Sequence, residues 1–473
     1  MDRRRQRVPG TGSGQAGPGG EQRAPAPTTR RRLLGGAGAL GAVVGLGALG
    51  AVGAGTGTGT RPGRRATDPR SVIPLWSATV AYDSAEQRAL VGGRSPQLPL
   101  DPGTRFGSEL APSSPARARA EEFLQGTAEW QGMLRESLGD LPALLDLAGS
   151  ALWDLWVLTD ELPAPVAGWS SSWRYMWPRD AAFCAAALAR IGHRDTALSV
   201  LEHLGSLQAR DGWFEARYDP ATGRAPDRRP RQFDGAGLLL WAASEAVPPE
   251  GEEGRDRALE RLAPLITRSL GTLHRCTSGG TGLPPVSPDY WEVHEESVTL
   301  GTMAATLTGL QAGARVAPTS AARRTAQQAA RSFTALCEGT FGTTGFQRYR
   351  SGGGADSALA LLDATGVHDV AAPAQLLSLR EELARPGGGI APGASWREDG
   401  VSWTPSTSLL GLALARSGER TAALEILTWL AEHRTEAGSL PEKVLFDGRP
   451  AEVAPLAWTA ANVLLSLDVL ARG

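Results

Sequence analysis

Ser172-Trp173-Arg174-Tyr175-Met176-Trp177-Pro178-Arg179-Asp180 runs directly into the helix-forming stretch Ala181-Ala182-Phe183-Cys184-Ala185-Ala186-Ala187-Leu188. An adjacent arginine–aspartate pair at the mouth of an apolar helix costs on the order of several kcal/mol unless the charges are paired or met by a ligand. Flat aromatic faces beside a fixed donor and a fixed acceptor suit a sugar. Its C–H faces stack on rings such as Tyr175 and Trp177, and its hydroxyls meet Arg179 and Asp180. The alternative is a helix cap, with Asp180 at the positive end of the helix dipole and Arg179 on the surface.

Outward from this stretch, hydrophobic spacing near 3.6 residues predicts helices over 116–136, 141–158, 180–191, 195–209, 234–246, 254–275, 297–315, 320–338, 371–384, 405–416, 419–433 and 456–471. Several loops between them carry glycine, tryptophan and charge: Asp211-Gly212-Trp213-Phe214, Pro288-Asp289-Tyr290-Trp291-Glu292 and Trp396-Arg397-Glu398-Asp399-Gly400. About a dozen helices of similar length, with such loops between alternate pairs, predict consecutive hairpins. Closed into a ring, they make an all-α (α/α)6 barrel over 116–473 with a pocket at one end. A solenoid of helix pairs is the alternative, but no fixed-period repeat is present. Residues 71–115, with segments such as Ala78-Thr79-Val80-Ala81-Tyr82, read as a linker or a small β-containing lead-in.

Residues 1–70 stand apart from the fold. A basic leader ends in Thr29-Arg30-Arg31-Arg32-Leu33-Leu34, and an uncharged Gly/Ala/Leu/Val segment continues to Thr60. This is the pattern of a twin-arginine export signal, and the apolar segment is long enough to span a bilayer. Export is expected, with the chain secreted or held on the outer side of the membrane through that segment alone. The whole chain has 473 residues, 41% of them hydrophobic, which is ample for a large core. Its formal net charge of -2 leaves no electrostatic footprint for nucleic acid. Three cysteines make no disulfide framework, although a Cys276–Cys337 bridge is an option. The six histidines show no metal-ligand spacing, so neither a metal nor another cofactor is implied.

Two carboxylate segments accompany the opening stretch. Asp289-Tyr290-Trp291-Glu292 ends a proline-rich loop ahead of a long helix. Gly438-Ser439-Leu440-Pro441-Glu442-Lys443 is a loop ahead of Ala454-Pro455-Leu456-Ala457-Trp458, which opens the last helix. Each sets a glutamate among aromatic or proline residues, where desolvation raises a carboxyl pKa as a general acid requires. A solvated surface charge is the plain alternative for either one. Glu295 and Glu296 are explained by a first helical turn, where the dipole favours acidic residues.

With these segments in hand, the chain from about Phe123 to Leu470 resembles glycoside hydrolase family 15, the glucoamylase-like family. Tyr175-Met176-Trp177-Pro178-Arg179-Asp180 is similar to its Tyr-x-Trp-x-Arg-Asp segment, and Arg231-Gln232-Phe233-Asp234-Gly235 to its Gln-x-Asp-Gly segment. Asp289-Tyr290-Trp291-Glu292 resembles the Asp-x-Trp-Glu segment that holds the acid, and Leu440-Pro441-Glu442 the segment that holds the base. The resemblance implies an (α/α)6 barrel and inverting release of glucose from chain ends, with an oligosaccharide or glucoside as substrate. It implies Glu292 as general acid and Glu442 as general base. Arg179, Asp180, Trp177, Tyr175, Asp289 and Trp291 would bind the sugar, and Trp458 would belong to the core. The chain departs from the family in three places. Val293 stands where many relatives carry a second carboxylate, and Lys443 replaces a common glutamine. A family arginine has Arg397 as its nearest counterpart. These departures leave room for another α-glucoside or another sugar, and for a sugar-binding relative that lost turnover. An isoprenoid cyclase is disfavoured by the lack of Asp-rich motifs.

Overall fold

The computed structural model describes residues 70–94, 97–367, 370 and 372–473, so the expected export signal lies outside the described residues. A hairpin opens it, β1 (Thr79–Tyr82) antiparallel to β2 (Arg88–Val91), with Thr79 opposite Val91. Then follow α1 (Pro115–Gly126), α2 (Ala128–Leu138), α3 (Pro142–Val157), α4 (Pro178–Arg190) and α5 (Arg194–Leu207). The middle of the chain holds α6 (Asp234–Ala246), α7 (Arg255–Cys276), α8 (Leu300–Val316), α9 (Ser320–Thr340) and α10 (Ala358–Ala364). The last third holds α11 (Pro373–Glu382), β3 (Ser402–Trp403), α12 (Thr404–Arg416), α13 (Arg420–Glu432), β4 (Lys443–Val444), β5 (Pro450–Ala451) and α14 (Ala457–Arg472). The three short strands form one antiparallel sheet, β3-β4-β5.

Six helices, α4, α6, α8, α10, α12 and α14, pack each on the next, and α14 packs back on α4 to close an inner ring. Outer helices α5, α7, α9, α11, α13 and α3 return the chain between them, which makes the expected (α/α)6 barrel. Composition explains the sorting. Inner helices are apolar all round, as in Ala181–Ala189 and Leu238–Ala243, and are buried along nearly their whole length. Outer helices such as α7 and α9 bury one stripe and turn arginines and glutamates to solvent. Close crossing of α6 and α8 depends on glycine. A Cβ on Gly237 would lie 1.9 Å from the Ala305 carbonyl oxygen, and one on Gly309 2.4 Å from the Gly237 Cα.

The expected helix set changes in two places, and of the two readings of residues 71–115 the β-containing lead-in is the one observed. The predicted helix 116–136 is two, divided at Thr127, whose Oγ1 donates to the Leu124 carbonyl. Helix α10 is absent from the expected set because seven residues, six of them apolar, show no 3.6 period, yet it completes the inner ring. The lead-in is no loose linker. Val80, Ala81 and Tyr82 are buried, and Tyr82 packs on Trp156 of α3 with ring centroids 5.2 Å apart. Cys184, Cys276 and Cys337 are all free thiols, so the optional bridge is not formed.

Candidate active site

Because the inner helices share one direction, their N-termini gather at one mouth of the ring. Arg179 and Asp180 occupy the first turn of α4 and Asp234 that of α6, with Gln232 just ahead of it. Arg179 Nη1 donates to Asp234 Oδ2 at 2.8 Å and to Gln232 Oε1 at 3.1 Å, and Nη2 donates to Glu292 Oε1 at 3.0 Å. Asp180 is buried, and Arg179 Nε lies 3.7 Å from its carboxylate, which is beyond hydrogen-bond length. Burial pushes its carboxyl up to about 7; Arg179 opposes the rise, while Glu292 and Asp234 add to it. Arg179 is not on the surface, so the simple helix-cap alternative does not describe this pair.

The Asp289–Glu292 segment folds as a turn. Glu292 N–H donates to the Asp289 carbonyl at 2.9 Å, and Trp291 N–H to Asp289 Oδ1 at 3.0 Å. Glu292 ends the turn at φ +56°, a left-handed conformation that costs a non-glycine residue on the order of 1 kcal/mol or more. Beneath the turn lies Arg348. Its guanidinium is buried, donates to Asp289, Glu295 and Asp356, and sits 3.5 Å from the Trp291 ring centre. Asp289 is therefore a buried brace for the turn, contrary to its expected place among the sugar contacts. Glu295 is also a buried partner of Arg348 and of Tyr349 (2.8 Å), not a dipole-stabilised residue of a first turn. Helix α8 starts later, at Leu300, where Thr299 caps it. Arg397, the nearest counterpart of the family arginine, is exposed; the arginine beside this turn is Arg348.

Glu292 itself lies among cations rather than in an apolar setting. Oε1 accepts from Arg179 and from Gln232 Nε2 (2.7 Å), and Oε2 from Arg229 Nη1 (2.8 Å). Arg229 Nε lies 3.2 Å from Asp227, which Arg217 Nη2 holds at 2.6 Å. Arg217 in turn covers the rings of Tyr175 (4.2 Å) and Trp177 (5.0 Å). Arg217, Asp227 and Arg229 escaped the sequence reading, because an arginine-rich loop looks like solvated surface.

Glu442 precedes α14, which stands opposite α8 in the ring. Its loop is fixed by buried Asp154 of α3, which accepts from Arg105 (3.1 Å), Ser439 Oγ (2.7 Å) and the Leu440 N–H (2.8 Å). The lead-in braces it further: Thr79 Oγ1 lies 2.7 Å from Ser439 Oγ, and Trp76 N–H donates to the Glu452 carbonyl at 2.6 Å. Glu442 Oε2 is buried without a hydrogen-bond partner; Lys443 Nζ is 3.5 Å away but not in bonding geometry. Burial raises the Glu442 carboxyl, Glu452 adds to the rise, and Lys443 and Trp173 oppose it. An aromatic wall joins the two glutamate segments. Trp291 meets Trp396 edge-on at 4.9 Å, Trp396 meets Trp403 at 5.5 Å, and Lys443 lies 4.4 Å from the Trp403 ring centre.

Below this mouth the axis is filled. Arg179, Asp234, Asp289, Tyr290 and Trp458 surround a cavity of only about 10 Å³. Trp458 packs on Phe183 at 5.6 Å and lies under Arg179, so it is both core and floor. A larger cavity of about 890 Å³, lined by Val247, Arg255, Arg315 and Arg323, lies at the far ends of α6 and α8, remote from both glutamates.

An (α/α)6 barrel with carboxylates, arginines and tryptophans at one blind mouth is thus the class that fold and site define. Among solved structures the chain is similar to a glycosidase in complex with glucose, at 23% identity and TM-score 0.57, over 69% of this chain and 97% of that one. A bacterial glucoamylase complexed with acarbose matches at 17% identity and TM-score 0.54, over 68% of this chain and 55% of that one. A glucoamylase from Saccharomycopsis fibuligera matches at 13% identity and TM-score 0.53, over 70% of this chain and 95% of that one. No family model and no curated protein matches the chain. What these likenesses share with the chain is the fold.

Proposed function

We propose that this protein is an exo-acting, inverting glycoside hydrolase that releases glucose from the non-reducing ends of α-glucosides. One observation carries the reading: glutamates precede two opposite helices of a single ring, at the mouth where Arg179 and Asp180 also lie. Inversion needs an acid on the bridging oxygen and a base on the far side of the sugar, with carboxyls roughly 6.5–9.5 Å apart to admit one water. Glu292 is the proton donor. Glu442, whose buried Oε2 accepts no hydrogen bond, takes the proton of the attacking water. Asp180, whose nearest cation Arg179 Nε is 3.7 Å away, accepts from a sugar hydroxyl, while Trp177, Tyr175 and Trp291 supply walls. A filled axis supports a dead-end pocket and hence attack on chain ends. Val293 and Lys443, at the departures from the family pattern, make the glucoside preference the part to test first.

A second reading is a sugar-binding relative without turnover, favoured by the three donors that occupy Glu292. Incubation with a panel of α-glucosides, followed by proton NMR before mutarotation, separates the two. Early β-glucose supports the proposal; early α-glucose means a covalent intermediate, and binding without release supports the second reading. Export is also proposed, from the arginine-led leader.

A further inference from the structure

Resting on the reading of Glu292 as proton donor, we propose that Arg229 is a releasable cap on it. In this role Arg229 is a positioning residue that occupies the carboxylate oxygen due to carry the proton and yields it when a leaving group enters. A carboxylate oxygen offers two lone-pair sites. Both sites on Oε1 are taken, by Arg179 at 3.0 Å and Gln232 at 2.7 Å. Those two donors are buried and tied to each other at 3.1 Å, and Arg179 to Asp234 at 2.8 Å, so they have nowhere to move. Oε2 is left to carry the proton, and its partner is Arg229 Nη1 at 2.8 Å. Arg229 takes one of the two sites on Oε2, and its charge, which favours the ionised carboxylate, opposes a proton on the other.

Arg229 is also built to leave. Its side chain is 22% exposed, against 6% for Arg179, and it belongs to the loop 208–233 rather than to a helix. Its Nε has a second carboxylate, Asp227, at 3.2 Å, so breaking the contact with Glu292 does not strand an unpaired cation. Asp227 is held by Arg217, which bonds the Ser172 carbonyl at 2.8 Å and covers Tyr175 and Trp177. The charged groups around Glu292 include Arg179 and Asp180 from α4, Asp234 from α6, and Arg229 with its partner Asp227 from the loop. Of the two cations, only Arg229 is free to go.

Arg229→Met keeps an unbranched apolar stem and removes the charge. On an α-glucoside, the alkaline limb of kcat/KM against pH reports loss of the acid's proton. Removing a cation in contact with a carboxylate moves that limb to higher pH by about one unit or more. Asp227→Asn removes the carboxylate that receives Arg229, so it holds Arg229 on Glu292 and moves that limb to lower pH, while the double variant follows Arg229→Met. A folded Arg229→Met enzyme with an unmoved alkaline limb overturns the cap, and a raised KM with that limb unmoved makes Arg229 a sugar contact instead. A second measurement needs no turnover. In carbon-13 NMR of the glutamate carboxyls, the Glu292 signal, identified by its loss in Glu292→Gln, titrates at higher pH in Arg229→Met than in the unmodified protein. If no glycoside is cleaved, the proposed function falls while this titration still decides the cap: a higher midpoint upholds it, and equal midpoints overturn it.

Discussion

Glu292 and Glu442 precede opposite helices of one ring, yet their surroundings are opposite in kind. Glu292 ends a strained turn and accepts from Arg179, Gln232 and Arg229. Glu442 sits by Lys443 and Trp173, its Oε2 accepts no hydrogen bond, and burial raises its carboxyl. One is oriented by many donors; the other is desolvated and poised to accept. A symmetrical fold thus holds an asymmetrical pocket, which suits the proposed single displacement, in which two carboxyls act in opposite senses.

The largest test of that contrast is Glu442→Gln. A water that still needs its base is missing it whatever the leaving group. Turnover therefore falls on the order of a thousandfold on both an α-glucoside and α-glucosyl fluoride, by initial rates. Equal activity on the fluoride would move the base elsewhere.

Glu292→Gln comes next. It costs at least about a hundredfold on the glucoside, whose leaving oxygen needs a proton, and far less on the fluoride. Equal losses on both, or the selective pattern in Glu296→Gln, would take the acid off Glu292. Glu295 is a poor rival, because it is locked on buried Arg348.

Asp180→Asn affects binding and the pH dependence of stability together. Turnover weakens because a hydroxyl acceptor is lost. In the folded chain Asp180 titrates at about 7, above the ordinary value near 3.9. The folded state therefore binds this proton more tightly than the unfolded one. Asp180 contributes stability in full below about pH 4 and loses it as pH rises to about 7. Urea midpoints of Asp180→Asn should fall less between those pH values than those of the unmodified protein. Matching slopes would show that Asp180 is not a desolvated carboxyl.

The smallest effect is that of Lys443→Met. Lys443 opposes the rise of the Glu442 carboxyl, so its loss raises that carboxyl further. A base must be ionised to work, and the acid limb of kcat against pH should move upward with little change at the plateau. A limb that stays still would mean that Lys443 is only a rim partner of Glu452, whose Oε2 lies 3.3 Å away.

Much of this molecule was decided locally and so was legible in the chain. Apolar runs such as Ala181–Leu188 can only be inner helices, and charged amphipathic runs such as 255–275 can only face outward. Asp289 closes its own turn through Trp291 and Glu292, so the placing of that glutamate ahead of α8 follows from four neighbouring residues. Tertiary structure alone decided the rest. Helix α10 is two turns long, too short for a period to show, and exists because its neighbours in the ring bury it. Arg348, not Arg397, lies under Trp291, and Asp289 and Glu295 become its buried partners from more than fifty positions away. The loop of Glu442 is held by Thr79, Arg105 and Asp154, hundreds of residues earlier. The cations on Glu292 come from α4 and from a loop that reads as ordinary surface. Periodicity and motif spacing record what neighbours along the chain do to each other. Ion pairs and burial between distant segments are set only when the ring closes, and in this protein they control the charge around each glutamate.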